Sequence, residues 1–236
     1  MRSYFIFNDV HSAHWGILLR EPAAVIRARE RVTTFSVPGR AGALTLTEGE
    51  RIFEPYPQRI RLSIPYDAVQ AGVLDRLTGA GEVTFSTDPG KKQDCRVIEE
   101  VSLTKVSYHI NWYEGAITFE CQPYKKLIHE DENAVLSSGS VLTNLGDVTE
   151  KPVWKVDGSG DFTLTVGESE FSLTGMPEGG CIIDSGAEMV TSQDGAQLLT
   201  DISEGLFPAL KKGANTVSWS GSSVTRVIAC RRQRWI

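Results

Sequence analysis

At 236 residues the chain has room for one large or two small domains. Hydrophobic residues make up 41% and charged residues 23%, ordinary values for a soluble globular protein, and the formal net charge is −6. Residues 1–125 hold fifteen Lys+Arg and fifteen Asp+Glu, whereas residues 126–236 hold nine and fifteen, so the second half carries the whole deficit. That balance excludes a dedicated nucleic-acid binder, whose domain would be basic. No apolar run approaches the roughly 20 residues of a membrane-spanning helix, so no membrane insertion is expected. Phe5-Ile6-Phe7 is broken by Asn8-Asp9, so no signal-peptide core is expected either.

Strand signals dominate the first half. Tyr4–Phe7, Trp15–Leu19, Val25–Phe35, Arg59–Ile64, Glu82–Ser86 and Val101–Trp112 are rich in β-branched and aromatic residues. In the last run Val106, Tyr108, Ile110 and Trp112 alternate with polar residues, the period of a strand with one apolar face. Gly115–Cys121 reads as its hairpin partner across Tyr113-Glu114-Gly115. Between these runs lies one predicted helix. Asp67 is its N-cap and Gln70 completes a capping box; Val69, Val73, Leu74 and Leu77 share a face, and Gly79 stops it. Gly72 inside it costs about 1 kcal/mol against Ala, so packing must hold the helix.

A domain boundary is placed near 124–130, giving domains 1–126 and 127–236. The second domain opens with Val135-Leu136 and Val141-Leu142 around a Ser/Gly turn. Short strands then follow at Val153–Val156, Phe162–Val166, Glu170–Leu173, Cys181–Asp184, Thr216–Trp219 and Val224–Cys230. Separated by Gly-rich turns, they predict an antiparallel sandwich.

Chemistry-bearing residues are sparse. Cys95, Cys121, Cys181 and Cys230 show no C-x-x-C spacing and no histidine cluster, so no metal and no cofactor are expected. Free thiols of a reducing cytoplasm fit best, with pairing left open. His11, His14, His109 and His129 have no nucleophile motif beside them, which leaves a hydrolase triad unsupported. No catalytic residue is assigned.

Two stretches carry a resemblance. The first is the aromatic opening Tyr4–Asp9, the basic run Arg27-Ala28-Arg29-Glu30-Arg31 and the turn Val37-Pro38-Gly39-Arg40-Ala41-Gly42. The second joins Asn144-Leu145-Gly146, Lys151–Val156 and Asp157–Gly160. It continues in Ile182-Ile183-Asp184 and closes with Phe207-Pro208-Ala209-Leu210, Gly213–Val217 and Arg231–Trp235. Together they resemble the distal tail proteins of long-tailed, non-contractile bacteriophages. The resemblance implies a mainly β chain of two domains. The first is a ring-forming β-sandwich with one α-helix and a β-hairpin, and the second a galectin-like antiparallel β-sandwich.

It further implies a structural protein and not an enzyme, made in the bacterial host cytoplasm and carried in the virion at the tail tip. Six copies would form a ring joining the tail tube protein to the tail-tip or tail-associated protein, with receptor-binding protein held outside. DNA would only pass through the lumen. A ring needs heterologous contacts. Tyr4, Phe5, Phe7 and Trp15 are candidates for an edge-strand contact, though each suits a core equally. The stripe Arg27, Arg29, Arg31 is a candidate partner for a neighbour's acids. Pro38, Gly39, Arg40 and Gly42 form the family-motif turn.

Two other classes compete. A carbohydrate-binding module would use Trp154 or Trp219 as an aromatic platform. Ile182-Ile183-Asp184-Ser185-Gly186-Ala187 looks like an aspartic-protease turn, which would need two copies of Asp184 sharing a proton. Asp157-Gly158-Ser159-Gly160-Asp161 faintly matches a calcium loop but lacks its closing glutamate. Asp-Ser-Gly and Asp-Gly-Ser are also ordinary turn chemistry.

Overall fold

The computed structural model describes residues 3–46, 52–98, 101–107, 110–129, 133–221 and 223–236. The chain divides into two compact units, Met1–Lys125 and Lys126–Trp235.

In the first unit β1 (Phe5–Phe7) turns through Asn8-Asp9 into β2 (Val10–His11). Both turn residues have positive φ, 48° and 63°, the geometry that a two-residue hairpin demands and that Asn and Asp tolerate. A 3-10 turn, Ser12–Trp15, replaces the strand expected from Trp15, and only β3 (Leu18–Leu19) remains of that run. Next come β4 (Thr33–Ser36), β5 (Ala43–Leu46) and β6 (Tyr56–Pro65). The single predicted helix is two short ones, α1 (Tyr66–Gln70) and α2 (Val73–Arg76), because Gly72 takes φ 74° between them. Asp67 lies in the first turn of α1; the capping position is Pro65, which offers no side-chain bond.

The unit closes with β7 (Ala80–Phe85), β8 (Lys91–Val97), β9 (Leu103–Ser107) and β10 (Ile110–Leu127). The expected hairpin link at Tyr113-Glu114-Gly115 lies instead within β10, an 18-residue strand, near its start. Its Tyr113–Gly115 pairs with Lys105–Leu103 of β9 on one side and with Ile64–Leu62 of β6 on the other. Ile110 pairs with Ser107 of β9; Tyr108 and His109, read as part of the strand, lie outside the described residues.

Eight strands form one sheet in the order β2-β1-β7-β8-β10-β6-β3, with β9 also on β10. In a flat sheet β1 and β10, three steps apart, would stand about 14 Å from one another. Yet the rings of Phe5 and Phe7 each lie 5.6 Å from Phe119. The sheet therefore folds over and supplies both layers of its core: Phe5, Phe7, Ile60, Leu62, Ile64, Ile117 and Phe119 are at most 1% exposed.

The second unit is a sandwich of two five-stranded sheets. Its strands are β11 (Asn133–Leu136), β12 (Ser140–Asn144), β13 (Val153–Asp157), β14 (Gly160–Val166) and β15 (Ser169–Met176). They continue as β16 (Cys181–Asp184), β17 (Met189–Ser192), β18 (Ser203–Gly205), β19 (Gly213–Ser220) and β20 (Arg226–Cys230). One sheet runs β11-β20-β13-β16-β17 and the other β12-β19-β14-β15-β18. Alternating residues of both, among them Trp154, Val156, Leu164, Phe171, Ile183, Val217 and Val227, meet in one core. The chain is mainly β, as its composition and periodicity predict.

Candidate assembly interface

The family-motif turn tops a two-stranded ribbon that joins no other strand among the described residues. Val37 O accepts from Arg40 N at 3.1 Å, with Pro38 second and Gly39 third at φ 82°, which is a type II turn. Opposite residues fix the ribbon's faces. Phe35 pairs with Leu44 and Thr33 with Leu46, which places three large apolar side chains on one face. Thr34 pairs with Thr45 and Ser36 with Ala43, leaving the other face small or polar. The apolar face is largely exposed: Phe35 is 48% and Leu46 47% exposed, Val37 follows at 40%, and Leu44 is half-buried. A lone two-stranded hairpin is marginal in water, so this ribbon gains stability from any surface that packs on its apolar face.

Its root is firmly held. Arg31 N donates to Ile52 O and Glu54 N to Arg29 O, around a bridge between Glu30 and Phe53. Phe53 is buried and meets the Tyr124 ring edge-on at 6.1 Å. Residues 25–29, expected as part of a strand, belong to no strand; pairing begins with Arg29 O and the bridge at Glu30.

The predicted contact residues separate into two groups. Phe5, Phe7 and Trp15 are spent on this unit's own core, at 0%, 1% and 8% exposure, so their side chains present no surface to a neighbour. Tyr4 is half-buried, stacked on the His11 ring at 4.4 Å, with its backbone tied to Ser86. Arg29 is already engaged by Glu54, at 2.8 Å from Nη2 to Oε2, so it is no free partner for a neighbour's acids. Arg27 and Arg31 are exposed, as are Pro38, Gly39, Arg40 and Gly42. Phe35, Leu44 and Leu46 escaped the sequence reading, although the alternation Thr-Thr-Phe-Ser and Ala-Leu-Thr-Leu around a Pro-Gly turn is a hairpin signal.

The competing sites dissolve into structural roles. Trp154 is fully buried and donates Nε1–H to Ser185 Oγ and Pro208 O, so it offers no face to a sugar. Trp219 is half-buried and packs against the same core. Asp184 accepts Arg232 Nη1 and Nη2 at 2.9 and 3.1 Å and the amides of Gly186 and Ala187. Partial burial pushes its pKa up, but the Arg232 hydrogen bonds with those amides outweigh it and hold the carboxyl below its usual range. It is therefore an ion-paired turn former, not an acid poised to share a proton. Asp157 accepts from Gln193 and Arg226 at 2.8 and 2.6 Å. Asp161 accepts Gly175 N, so the calcium-like loop spends its carboxylates on residues distant in sequence. Among the described residues no group of three metal-binding side chains occurs.

Comparison with solved structures places this architecture. The Dit protein of phage SPP1, described as a paradigm of the hub adsorption apparatus in phages that infect Gram-positive bacteria, superposes with a TM-score of 0.72. The overlap covers 98% of this chain and all of that one, at 12% identity. The chain has the fold of SPP1 Dit. At that identity the Dit likeness extends over both units and to the fold alone. The phage P2 baseplate, in its activated conformation with Ca or Sr, aligns at a TM-score of 0.45 and 10% identity over 99% of this chain. No protein-family model matches the sequence, and no curated protein matches it.

Proposed function

We propose that the chain is a structural subunit of a phage tail tip. Six copies close into a ring through the first unit, which joins the tail tube protein to the tail-tip or tail-associated protein. DNA crosses the lumen in transit, and receptor-binding protein attaches on the outside. On this reading the protein is a virion component made in the host cytoplasm, and it performs no catalysis.

The observation that carries the reading is the β4–β5 arm. On its apolar face Phe35 and Leu46 are about half exposed beside a half-buried Leu44, and the arm pairs with no other strand among the described residues. A second copy is the natural cover, because an arm on one surface that docks on a different surface of the next copy makes a heterologous contact, the kind that closes rings. The Dit fold supports the same reading.

The test is the mass of the purified protein by light scattering or native mass spectrometry. A species at six times 25.9 kDa, or at twice that, is expected. A monomer at every concentration, unchanged when the arm is altered, would count against the ring.

A further inference from the structure

The two sheets of the second unit differ on their outer faces. On the β12-β19-β14-β15-β18 sheet the outward row Ser218, Thr165, Glu170 and the row Ser220, Thr163, Ser172, Glu204 are wholly polar, with the exposed Val141, opposite Thr216, beyond them on β12. That is the solvated pattern of an antiparallel sheet with one face on a core. The other sheet breaks the pattern. Val135, Ile228, Lys155, Ile182 and Thr191 stand in register across all five strands, one residue on each. Asn133, Cys230, Val153, Asp184 and Met189 form the next outward row. The inward rows are the core, and the outer face mixes six apolar residues with Asn133, Lys155, Asp184 and Thr191, bounded by the Asp157–Arg226 ion pair. None of the six apolar residues on the outer face is buried; Val135 is 66% and Met189 45% exposed.

We propose that this outer face is a docking surface for a different protein chain, one whose own surface is aliphatic and carries a carboxylate opposite Lys155. The proposal rests on the assembly reading above and adds to it the place and chemistry of a partner. Three observations select the occupant. The face has aliphatic and sulfur side chains but no aromatic ring, so it fits a protein surface and not a sugar, which stacks on rings. Lys155 sits centrally, with no acid paired to it among the described residues, while Asp184 is already neutralised by Arg232. Two copies meeting face to face would bring Lys155 against Lys155, whereas a carboxylate on a partner satisfies it. Finally, five strands at about 4.8 Å and two rows of side chains make a pad on the order of 300 Å². A stable dimer buries about 800 Å² on each partner, so the pad serves a partner held by other contacts as well.

Cys230 lies on this face, whereas Cys95, Cys121 and Cys181 are buried. Its labelling by a maleimide, read by mass spectrometry, therefore reports cover over the face. It is to be measured in the purified full chain and in tail particles of the phage that encodes it, with Lys155→Glu and Lys155→Arg variants alongside. The expected result is labelling at least tenfold slower in particles than in the purified chain. Lys155→Glu should restore the fast rate in particles and Lys155→Arg should not. Equal rates in the two settings overturn the docking face and leave the ring untouched. Slow labelling in the purified chain means that the chain itself or a second copy covers the face, and also overturns it. Absence of the chain from the particles removes the assembly reading and this one with it.

Discussion

The side chain of Asn8 occupies the space that any side chain at position 81 would need: a Cβ built on Gly81 would stand 1.9 Å from Asn8 Oδ1. That oxygen accepts from Glu82 N at 3.0 Å, and Asn8 N donates to Glu82 O at 3.0 Å. The β1–β2 turn is thus locked to the next strand. Gly81→Ala is expected to lower stability by about 1–3 kcal/mol, the range for a forced clash. Asn8→Gly alone should cost about 1 kcal/mol for the lost hydrogen bond. Combined with Gly81→Ala it should recover part of the loss, since it empties the contested space and suits the positive φ. Urea unfolding of the three variants measures the coupling; additive losses would refute it.

Glu150 is the most deeply placed acid in the described structure, 0% exposed. It accepts Arg231 Nε and Nη2 at 2.7 and 2.6 Å and Arg232 N at 2.8 Å. Glu150→Ala strands the Arg231 guanidinium, which is 13% exposed, and should cost about 3–5 kcal/mol in the unfolding of the second unit. Replacing both partners, Glu150→Leu with Arg231→Met, should recover most of that, because neither charge is then buried alone. Calorimetry of single and double variants decides it.

The carboxyls of Asp157 and Asp184 both titrate below their usual range. For Asp157 the Gln193 hydrogen bond contributes most, and Arg226 adds to it. For Asp184 the Arg232 hydrogen bonds overcome partial burial. A carboxylate whose folded pKa is depressed stabilises the fold above its unfolded pKa of about 4 and loses that contribution as the pH falls through the lower folded value. Stability of the second unit should therefore be flat through neutral pH and decline below about pH 4. Asp184→Asn should flatten the decline. A denaturant midpoint that rises toward low pH would contradict the sign.

Substitutions on the arm should separate assembly from folding. Phe35→Ser and Leu46→Ser change exposed residues, so the thermal midpoint of the monomer should hold within the small range of surface changes, about 0.5 kcal/mol. The same variants should lose the ring and run as single chains in light scattering. Rings of unchanged mass would show that the contact lies elsewhere.

Much of the second unit was legible because its strands alternate cleanly. Phe162, Leu164 and Val166 read as one inward face and are one, since each strand has a polar outer or turn residue to mark its phase. The first unit was harder for identifiable reasons. In β10, Ile117, Thr118 and Phe119 are all buried, so period two vanishes in the middle of the strand, and Gly115 mimics a turn. Gly115 is needed there because Ser102 O would lie 2.3 Å from its Cβ. Splitting of the helix hung on one backbone angle at Gly72, which periodicity does not register. At the candidate interface aromatic content does not separate contact from core. Phe5 and Phe7 suit a contact or a core equally by sequence; their sheet folds over them, and burial against strands distant in sequence is invisible to local pattern.

Gly39 and Gly42 at the arm's tip have open space where a Cβ would stand, so only their positive φ calls for glycine. Among the described residues nothing lies within 4 Å of a Cβ at either glycine, so these two letters describe how the chain reverses, not what it touches. Such a string is portable. Any hairpin tip in an unrelated protein has the same local reason to acquire it, and a true relative can lose it by turning another way. Kinship in this fold is better traced by the unsatisfied apolar face behind the turn than by the spelling of the turn itself.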